Sequence, residues 1–563
     1  MKPYTLVALL VLSLSSLQAK TLSIGTIQGT DHHSPYEGET VTTEGIVTRV
    51  YKNGFIVESK SPDTNPDTSE AIYIYQKDTE VSVGNELQLT GKVEEYIPGG
   101  EDSYNLSLTQ IRLDKLRRIR AQASLPKAVV LNYLIAGFPQ AIKKPGSDFD
   151  TSHNAMDFWE SLEHMRVVLM DASVIGPKTK YDEIAVRVPQ GNATPSTPKG
   201  GVKLTSYQSN AARIPLILTQ ENPHSYNTGD QIPETIHGNV TYSYGNYKVG
   251  LSKPLPAAKP AKPLQTLPEL NIPESAFKLA SFNVENLYNE LPDEKFERLA
   301  NIIVESLHSP QVVGLQEIHD NSGPKNDGTV DASEVLAKLV SFIHEAGGPK
   351  YKFLQISPEN NADGGWPGAN IRNAYLYTDE VTLGRSYLME DPVFNEDDER
   401  EFSGTRKPLV AYLTHGKEKL ILINCHLKSK GGDTSSYGSL RPAVRFSETQ
   451  RIAQTRVIRQ QVNQLRQEHP DAGIVVLGDM NDYEFSPAIQ TLTENGGLTN
   501  LIDQLPLNQR YTYIFQGYSQ VLDHILVSPN LASRMDVTIA NVNSDLSEGL
   551  RSSDHDPVLA WFK

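Results

Sequence analysis

Gly549-Leu-Arg-Ser-Ser-Asp554-His555-Asp556-Pro-Val-Leu559 sets an Asp-His pair immediately ahead of a short apolar strand at the end of the chain. Two upstream segments are built alike: Leu477-Gly-Asp479-Met-Asn481-Asp482 and Asn424-Cys-His426-Leu-Lys428-Ser-Lys430. Each reads as a buried strand that ends in groups able to bind a metal or move a proton. Ser281-Phe-Asn283-Val-Glu285-Asn286 and Gly314-Leu-Gln316-Glu317 do the same further upstream. DH, GD and QE are common dipeptides, so each says little alone. Five such strand ends, in this order, make one active-site rim.

Outward from the rim, strands and helices alternate from Ala276 onward. Phe277 to Asn283, Gln311 to Glu317, Asn373 to Tyr377, Leu409 to Leu413, Leu420 to His426, Gly473 to Gly478, Val521 to Val527, Met535 to Ile539 and Val558 to Phe562 read as strands. Glu294 to Ser306 places Phe296, Leu299, Ile302 and Ile303 on one helical face. Val335 to Ala346 and Ser447 to Gln467 are the other helices, the last with Ile452, Val457, Ile458 and Val462 at core spacing. The pattern predicts an α/β sandwich, two sheets face to face with helices outside.

Ahead of it lie two β-rich modules. In residues 20–119, four segments alternate apolar and polar at period two: Val41 to Val50, Gly54 to Glu58, Ala71 to Tyr75 and Leu87 to Val93. Short strands with glycine turns predict a small OB-like barrel. His32-His33 reads as a solvated loop, because paired histidines lack zinc-ligand spacing. Residues 120–251 form the second module, with Met165 to Met170, Glu183 to Val188 and Ile214 to Leu218 as its clearest strands. Residues 252–275 carry six prolines and read as a semi-rigid linker. It marks residues 276–563 as a catalytic domain able to act alone.

A length of 563 residues fits three or four domains with a core that needs no staples. A net charge of −16 argues against holding nucleic acid by bulk electrostatics. It leaves room for a nuclease whose bound cation neutralises the reacting phosphate locally. Residues 1–19 read as a secretory signal: Lys2, an apolar stretch from Leu6 to Leu17, and a small-residue cleavage site at Ala19. The expected location is extracellular or periplasmic. The single cysteine, Cys425, lies inside a strand, so no intrachain disulfide forms and no N-terminal cysteine offers a lipid anchor. No later stretch is long and apolar enough for a membrane span.

Asn283, Glu317, Asp479, Asn481 and Asp554 all offer oxygen, and no Cys/His cluster accompanies them, which suits Mg²⁺. Taken singly they are ordinary turn residues; the set is not. His426 and His555 are the two proton carriers, and Asp523 is placed to hold one imidazole in its tautomer.

On Asn283, Gln316-Glu317, Thr405-Arg406-Lys407-Pro408, His426, Gly478-Asp479-Met480-Asn481, Asp523 and Ser553-Asp554-His555, residues 276–563 resemble the endonuclease/exonuclease/phosphatase superfamily. Its best-known member is the pancreatic-type deoxyribonuclease. The signal, the β-modules and the His426 to Gly431 stretch make the chain look most like bacterial secreted nucleases. The resemblance implies a DNase I-like sandwich and a metal-dependent hydrolase of phosphodiester bonds. It implies Glu317 as main metal ligand with Asn283 and Asp554 close by, and Asp479 and Asn481 on the attacking water and phosphate. It implies His555 as base or phosphate binder oriented by Asp523, His426 as acid, and Arg406 on the phosphate. Whether Asp479 or His555 takes the water's proton stays open. Mg²⁺ is the implied cofactor, Mn²⁺ a substitute and Ca²⁺ an auxiliary.

Two departures stand out. The family's glutamate behind the acid histidine has no counterpart in Gly368 to Asn373, where Asp363 is the nearest substitute. An arginine that reaches the minor groove is replaced by His319. Lys428, Lys430, Arg441 and Arg445 make a basic loop after His426, read with Arg406 as phosphate contacts and with Tyr437 as a stacking surface. The substrate expected is DNA. Two alternatives are a sphingomyelinase-like phospholipid phosphodiesterase, which needs an aromatic membrane loop not seen between Pro529 and Arg551, and a non-catalytic DNA or matrix binder on a nuclease scaffold.

Overall fold

Alternate apolar residues on the N-terminal strands turn inward and close a barrel. The computed structural model describes residues 20–563, apart from 133–138, 140, 145, 190–195, 208–212, 220–221, 262–271 and 391–399. Residues 1–19, expected as a signal, and the middle of the Pro-rich segment therefore lie outside the described residues. Two compact units result: residues 1–129 with 149–151 and 157–166, and the remainder of the chain.

In the first unit, Thr40–Tyr51, Gly54–Glu58, Ala71–Tyr75, Glu86–Tyr96 and Leu108–Arg120 lie side by side in the order first, second, third, fifth, fourth. The first pairs back onto the fourth, which closes the circle, and the third and fifth run parallel. Val41, Val47, Phe55, Val57, Ile72, Ile74, Leu87, Leu89, Val93 and Ile111 fill the barrel. His32 departs from the expected solvated loop. Its Nε2 meets Asp157 Oδ1 at 2.9 Å and its Nδ1 meets Glu160 Oε2 at 3.0 Å, with 13 % of the side chain exposed. Burial pulls its pKa down, but Glu160 and Asp157 together push it further up, to about 9.

In the second unit, residues 167–260 contribute a sheet in which Gln231–Ile232, Ala172–Gly176, Glu183–Arg187, Ile214–Ile217, Asn246–Leu251 and Ile236–Ser243 are neighbours in that order. This module adds a strand to the C-terminal region. Val202–Lys203 pairs in parallel with Tyr518–Gln520, which pairs antiparallel with Tyr513–Phe515. The Lys203 ammonium sits 2.7 Å from Glu484, the two side chains 0 % and 8 % exposed.

The C-terminal region is the expected sandwich of two six-stranded sheets. One runs Lys352–Gln355, Arg372–Tyr377, Val312–Ile318, Lys278–Leu287, Val558–Phe562, Met535–Ile539. The other runs Thr382–Leu388, Leu409–His415, Glu418–His426, Gly473–Asp479, Asp523–Val527, Thr499–Asn500. Leu279, Val312, Tyr375, Leu422, Val475, Leu477 and Ile525 pack between them. Helices Asp293–Asn301 and Ser333–Glu345 bury Phe296, Leu299, Val335, Leu336 and Leu339 on the first sheet's outer face. Phe446–Glu468 buries Ile458, Val462 and Leu465 on the second's. No helix among the described residues is long and apolar enough to cross a membrane.

Two outcomes follow from these ion pairs. Lys203→Ala strips a buried carboxylate of its counter-charge and should destabilise the chain by about 3–5 kcal/mol in urea unfolding, with Lys203→Met plus Glu484→Met recovering most of it. An unchanged midpoint in the single variant would make the pair superfluous. His32 has a folded pKa of about 9, above the unfolded value of about 6.5. Its stabilisation is therefore complete below the unfolded value and is lost as pH rises through the folded one. The stability gap between the native chain and His32→Gln should shrink between about pH 6.5 and about pH 9; a gap constant with pH would refute it.

Candidate active site

The row His426, Asp479, Asp523 is set by strand register. His426 pairs with Asp479 across parallel strands, and Asp479 with Asp523 across antiparallel ones. Equal register sends the three side chains to one face of the second sheet. Gly478 makes this pairing possible: its φ is +131°, and a Cβ there would lie 2.0 Å from the Cys425 carbonyl oxygen. Glu317 ends its strand at φ +65°, and Glu285, Asn286 and Asn481 take φ between +50° and +53°. Left-handed backbone at non-glycine residues is strain of the kind that gathers at functional sites.

Asn283 joins the two sheets. Its Nδ2 donates to Glu317 Oε1 at 3.0 Å and to Asp479 Oδ2 at 3.1 Å, while its Oδ1 accepts the Glu285 amide at 3.0 Å. Glu317 Oε2 accepts the Asn286 amide at 2.9 Å. Asp479 Oδ1 accepts the Asn481 amide at 2.8 Å, and Asn481 Nδ2 donates to the Leu427 carbonyl at 3.1 Å. His555 Nδ1 is 2.7 Å from Asp523 Oδ2, which aims Nε2 at Asp479 Oδ2, 3.8 Å away. Ser553 pins the His555 turn, donating from Oγ to the Asn283 carbonyl at 2.7 Å. Asp556 pins it from the other side by accepting the amides of Val542, Asn543 and Ser544. His426 Nε2 lies 3.5 Å from Asp479 Oδ2 and 3.9 Å from Glu317 Oε1.

Sheltering so much negative charge has electrostatic consequences. Burial pushes the Asp479 carboxyl up to about 7; His555 opposes the shift, while Asp523 and Glu317 reinforce it. Burial likewise pushes Glu285 up to about 7, with Asp554 adding to it. Burial lowers the His555 pKa, but Asp523 and Asp479 more than reverse this and hold it well above its ordinary value. Glu317, His426 and Asp479 bring one ligand atom each within 4.8 Å of one another, as do Asp479, Asp523 and His555. Crowded, sheltered carboxylate oxygens, with burial holding Asp479 up, fit a hard divalent cation. Asn283 presents its amide nitrogen to this cluster, and Asp554 stands beside Glu285 and Tyr513.

The surrounding residues fall into place unevenly. Arg406 is 7 % exposed, donates from Nη2 to the Leu427 carbonyl at 3.0 Å, and has an unpartnered Nε. Lys430 is committed to Asp482 at 3.0 Å and lies over the Tyr483 ring, 4.1 Å from its centroid. Arg445 pairs with Glu448 at 3.1 Å and covers Tyr207. Arg441 reaches Met156 Sδ at 3.3 Å. Lys428 is half-buried. Tyr437, expected as a stacking surface, is 4 % exposed. Asp363 does not support His426: it holds Lys407 at 2.7 Å, and His426 Nδ1 has no partner among the described residues. His319 is fully buried with Nε2 on Asn286 Oδ1 at 3.0 Å, so it braces Glu317 through Asn286 and reaches no duplex.

Two aromatic neighbours escaped the sequence reading. The Tyr513 ring lies 4.8 Å from that of His555. Trp366, 51 % exposed, stands edge-on to His319 at 5.5 Å. No spacing rule connects either to the strand ends; the Gly364-Gly365 and Pro367-Gly368 flanks of Trp366 were its only signal.

No curated protein matches the chain. Residues 118–260 match a domain family of unknown function. Among solved structures, truncated Caenorhabditis elegans TDP2 is 17 % identical over 51 % of this chain and 98 % of its own, with a TM-score of 0.35. The human Nocturnin catalytic domain with bound sulfate is 15 % identical over 51 % and 94 %, TM-score 0.35. An endonuclease/exonuclease/phosphatase from Bacteroides vulgatus is 17 % identical over 52 % and 99 %, TM-score 0.33. Residues 280–555 match the Endonuclease/Exonuclease/phosphatase family, and with the two-sheet sandwich and its strand-end carboxylates in place, this region belongs to that family of metal-dependent phosphodiesterases.

Proposed function

We propose that the chain is a secreted nuclease that hydrolyses DNA by in-line attack of water on phosphorus. The observation that carries the phosphate reading is Arg406. A buried guanidinium with an unused Nε, beside Glu317 and Asp479, is suited to grip a phosphate oxygen. A divalent cation, Mg²⁺ with Mn²⁺ as substitute, would be held by Glu317 with Asp554 at the same rim and with Asn283 once its amide turns to present Oδ1, and would polarise the phosphate and shield its charge. Ca²⁺ serves as an auxiliary.

The remaining steps belong to side chains. Asp523 accepts from His555 Nδ1 and so fixes Nε2 toward Asp479. Either Asp479 or His555 takes the water's proton at that junction. Asn481 holds the Leu427 carbonyl, which in turn anchors Arg406. His426, lacking a carboxylate on Nδ1, is read as a neutral Nε2–H donor to the departing oxygen rather than an imidazolium acid.

Nucleic acid is favoured over lipid by the exposed Trp366, a stacking surface on the Glu317 side of the site. Between Pro529 and Arg551, Leu550 is the one exposed large apolar side chain, which is no membrane-entering aromatic pair. Lys428 remains as a phosphate contact, whereas Lys430 and Arg445 already have partners. The closed N-terminal barrel, with its first-second-third-fifth-fourth order, is assigned here as OB-like. Residues 1–19 direct secretion, extracellular or periplasmic.

Plasmid DNA should be cut with Mg²⁺, left intact in excess EDTA, and cut far faster than sphingomyelin in vesicles. Full activity in EDTA would refute the metal mechanism. Vesicle cleavage with intact plasmid would replace DNA by lipid.

His555→Ala and Glu317→Ala should each lower kcat by at least about a hundredfold with unchanged circular dichroism. Asp523→Asn should also lower kcat, with KM for DNA little altered. Native turnover by the His555 variant would remove that side chain from the reaction.

A further inference from the structure

Two hairpin tips beside the active site each hold up one aromatic ring. Tyr513–Phe515 and Tyr518–Gln520 are joined through Gln516-Gly517, with Phe515 opposite Tyr518. Ile236–Ser243 and Asn246–Leu251, from the preceding module, are joined through Tyr244-Gly245, with Ser243 opposite Asn246. Phe515 is 52 % exposed and Tyr244 83 %. Single exposed aromatics are ordinary. These two share a foundation and adjoin the reaction centre.

The foundation is Arg213, which is 6 % exposed. Its Nη2 donates to Asn246 Oδ1 in one tip and to Gln516 Oε1, at 3.4 Å, in the other. Its guanidinium lies over the Tyr518 ring, 5.0 Å from the centroid. Both acceptors are neutral amides, so these contacts leave the positive charge of Arg213 uncancelled beneath the tips. The loop that follows His426 is fastened to the same place. Ser435 Oγ donates to the Gly245 carbonyl, and the Tyr242 hydroxyl donates to the Tyr437 carbonyl at 2.8 Å.

The link to the reaction centre runs along the strand. The Tyr513 ring lies against the His555 imidazole. Alternation puts Phe515 on the same face of that strand, about 7 Å further along. Arg213 ties the Tyr244 tip to the turn that follows Phe515. Tyr244 also holds its place against backbone preference. It takes φ +49° at the first central residue of a two-residue turn, a position that favours Asn, Asp or Gly. A bulky ring kept in left-handed backbone points to a use for the ring.

We propose that Tyr244 and Phe515 form a stacking platform for unpaired bases of the DNA strand that passes through the active site, so that the module of residues 120–251 takes a direct part in holding substrate. The platform rests on the nuclease reading and extends it. Stacking accepts any base, since each has a π-face, and the charge of Arg213 below draws the phosphate chain. Asn246 and Gln516, in the same two turns, are polar, which suits nucleic acid better than a lipid interface.

The test uses the full chain carrying Glu317→Gln, to bind DNA without cutting it, and a fluorescent single-stranded oligonucleotide followed by anisotropy. Adding Tyr244→Asn with Phe515→Ser should weaken binding by roughly tenfold or more, whereas Tyr244→Trp should preserve it. Asparagine accepts left-handed backbone, so Tyr244→Asn should hold or raise the urea midpoint while affinity falls. A midpoint that falls together with affinity would make Tyr244 a brace of the hairpin and overturn the platform. With native Glu317, the double variant should lose roughly tenfold in kcat/KM for DNA relative to bis-p-nitrophenyl phosphate, and the loss should fall on KM. Plasmid cutting by the native chain with an unaltered KM in the double variant would overturn the platform and leave the nuclease reading standing. No oligonucleotide binding by the Glu317→Gln chain would also overturn it, and an intact plasmid with the native chain would take the nuclease reading with it. Loss of phosphatidylcholine-vesicle binding in the double variant, with oligonucleotide binding unmoved, would give the two rings to a lipid surface instead.

Discussion

One amide holds two carboxylates that repel each other. Asn283 Nδ2 bonds Glu317 on the first sheet and Asp479 on the second, so the site exists only while the sheets keep a fixed offset. That offset is enforced below the rim. Gln316 Nε2 donates to Asn424 Oδ1 at 2.6 Å across the sandwich, and Asn424 Nδ2 returns to the carbonyls of Leu315 and Ala374. Gly314 allows it: a Cβ there would lie 2.3 Å from Leu477 Cδ1. A polar girder inside an apolar core gains little stability but tolerates few alternative registers.

The same constraint explains the strain and the charge together. Glu317 and Asn481 turn into left-handed backbone because their side chains must leave the strand direction and meet at the rim. Once there, Asp479, Asp523 and Glu317 crowd one another, and burial raises Asp479 to about 7. Arg406 and the raised His555 supply part of the missing positive charge. A rim so arranged shelters more negative than positive charge, the condition a divalent cation would relieve.

Much of the catalytic sandwich was legible because its strands end in chemistry. The apolar runs ending at Glu317, His426 and Asp479 carry period and punctuation together, and the helices show clean faces. Thr382–Leu388 escaped because it is an edge strand, half-exposed and mixed in composition. Leu108–Arg120 escaped for a related reason: seven of its thirteen residues are Arg, Lys, Asp or exposed apolar positions in its outer half, so alternation fades. In the site, Asp523 is expected to hold one imidazole, and the family resemblance names His555 as that partner, which its Nδ1 contact with Asp523 matches. The partners within the basic loop were not legible, because sequence shows charge and not what it pairs with. Arg451, fully buried on Asp482 at 2.8 Å, and Lys430 on the same carboxylate brace the turn after Asp479.

The Pro-rich segment suggested a clean boundary, yet residues 202–203 complete a sheet with Tyr518–Gln520 and Tyr513–Phe515. Tyr513 faces the His555 imidazole from that hairpin. Thr228 and Tyr226 also bond Asp545 and Ser547, in the segment leading to His555. A hairpin of three-residue strands is marginal alone. Its third strand comes from the preceding module, whose Lys203 also forms a buried pair with Glu484 of the C-terminal region. The module therefore bears on how firmly His555 is walled from water, a link that composition at the linker could not reveal because it is made through space and not along the chain.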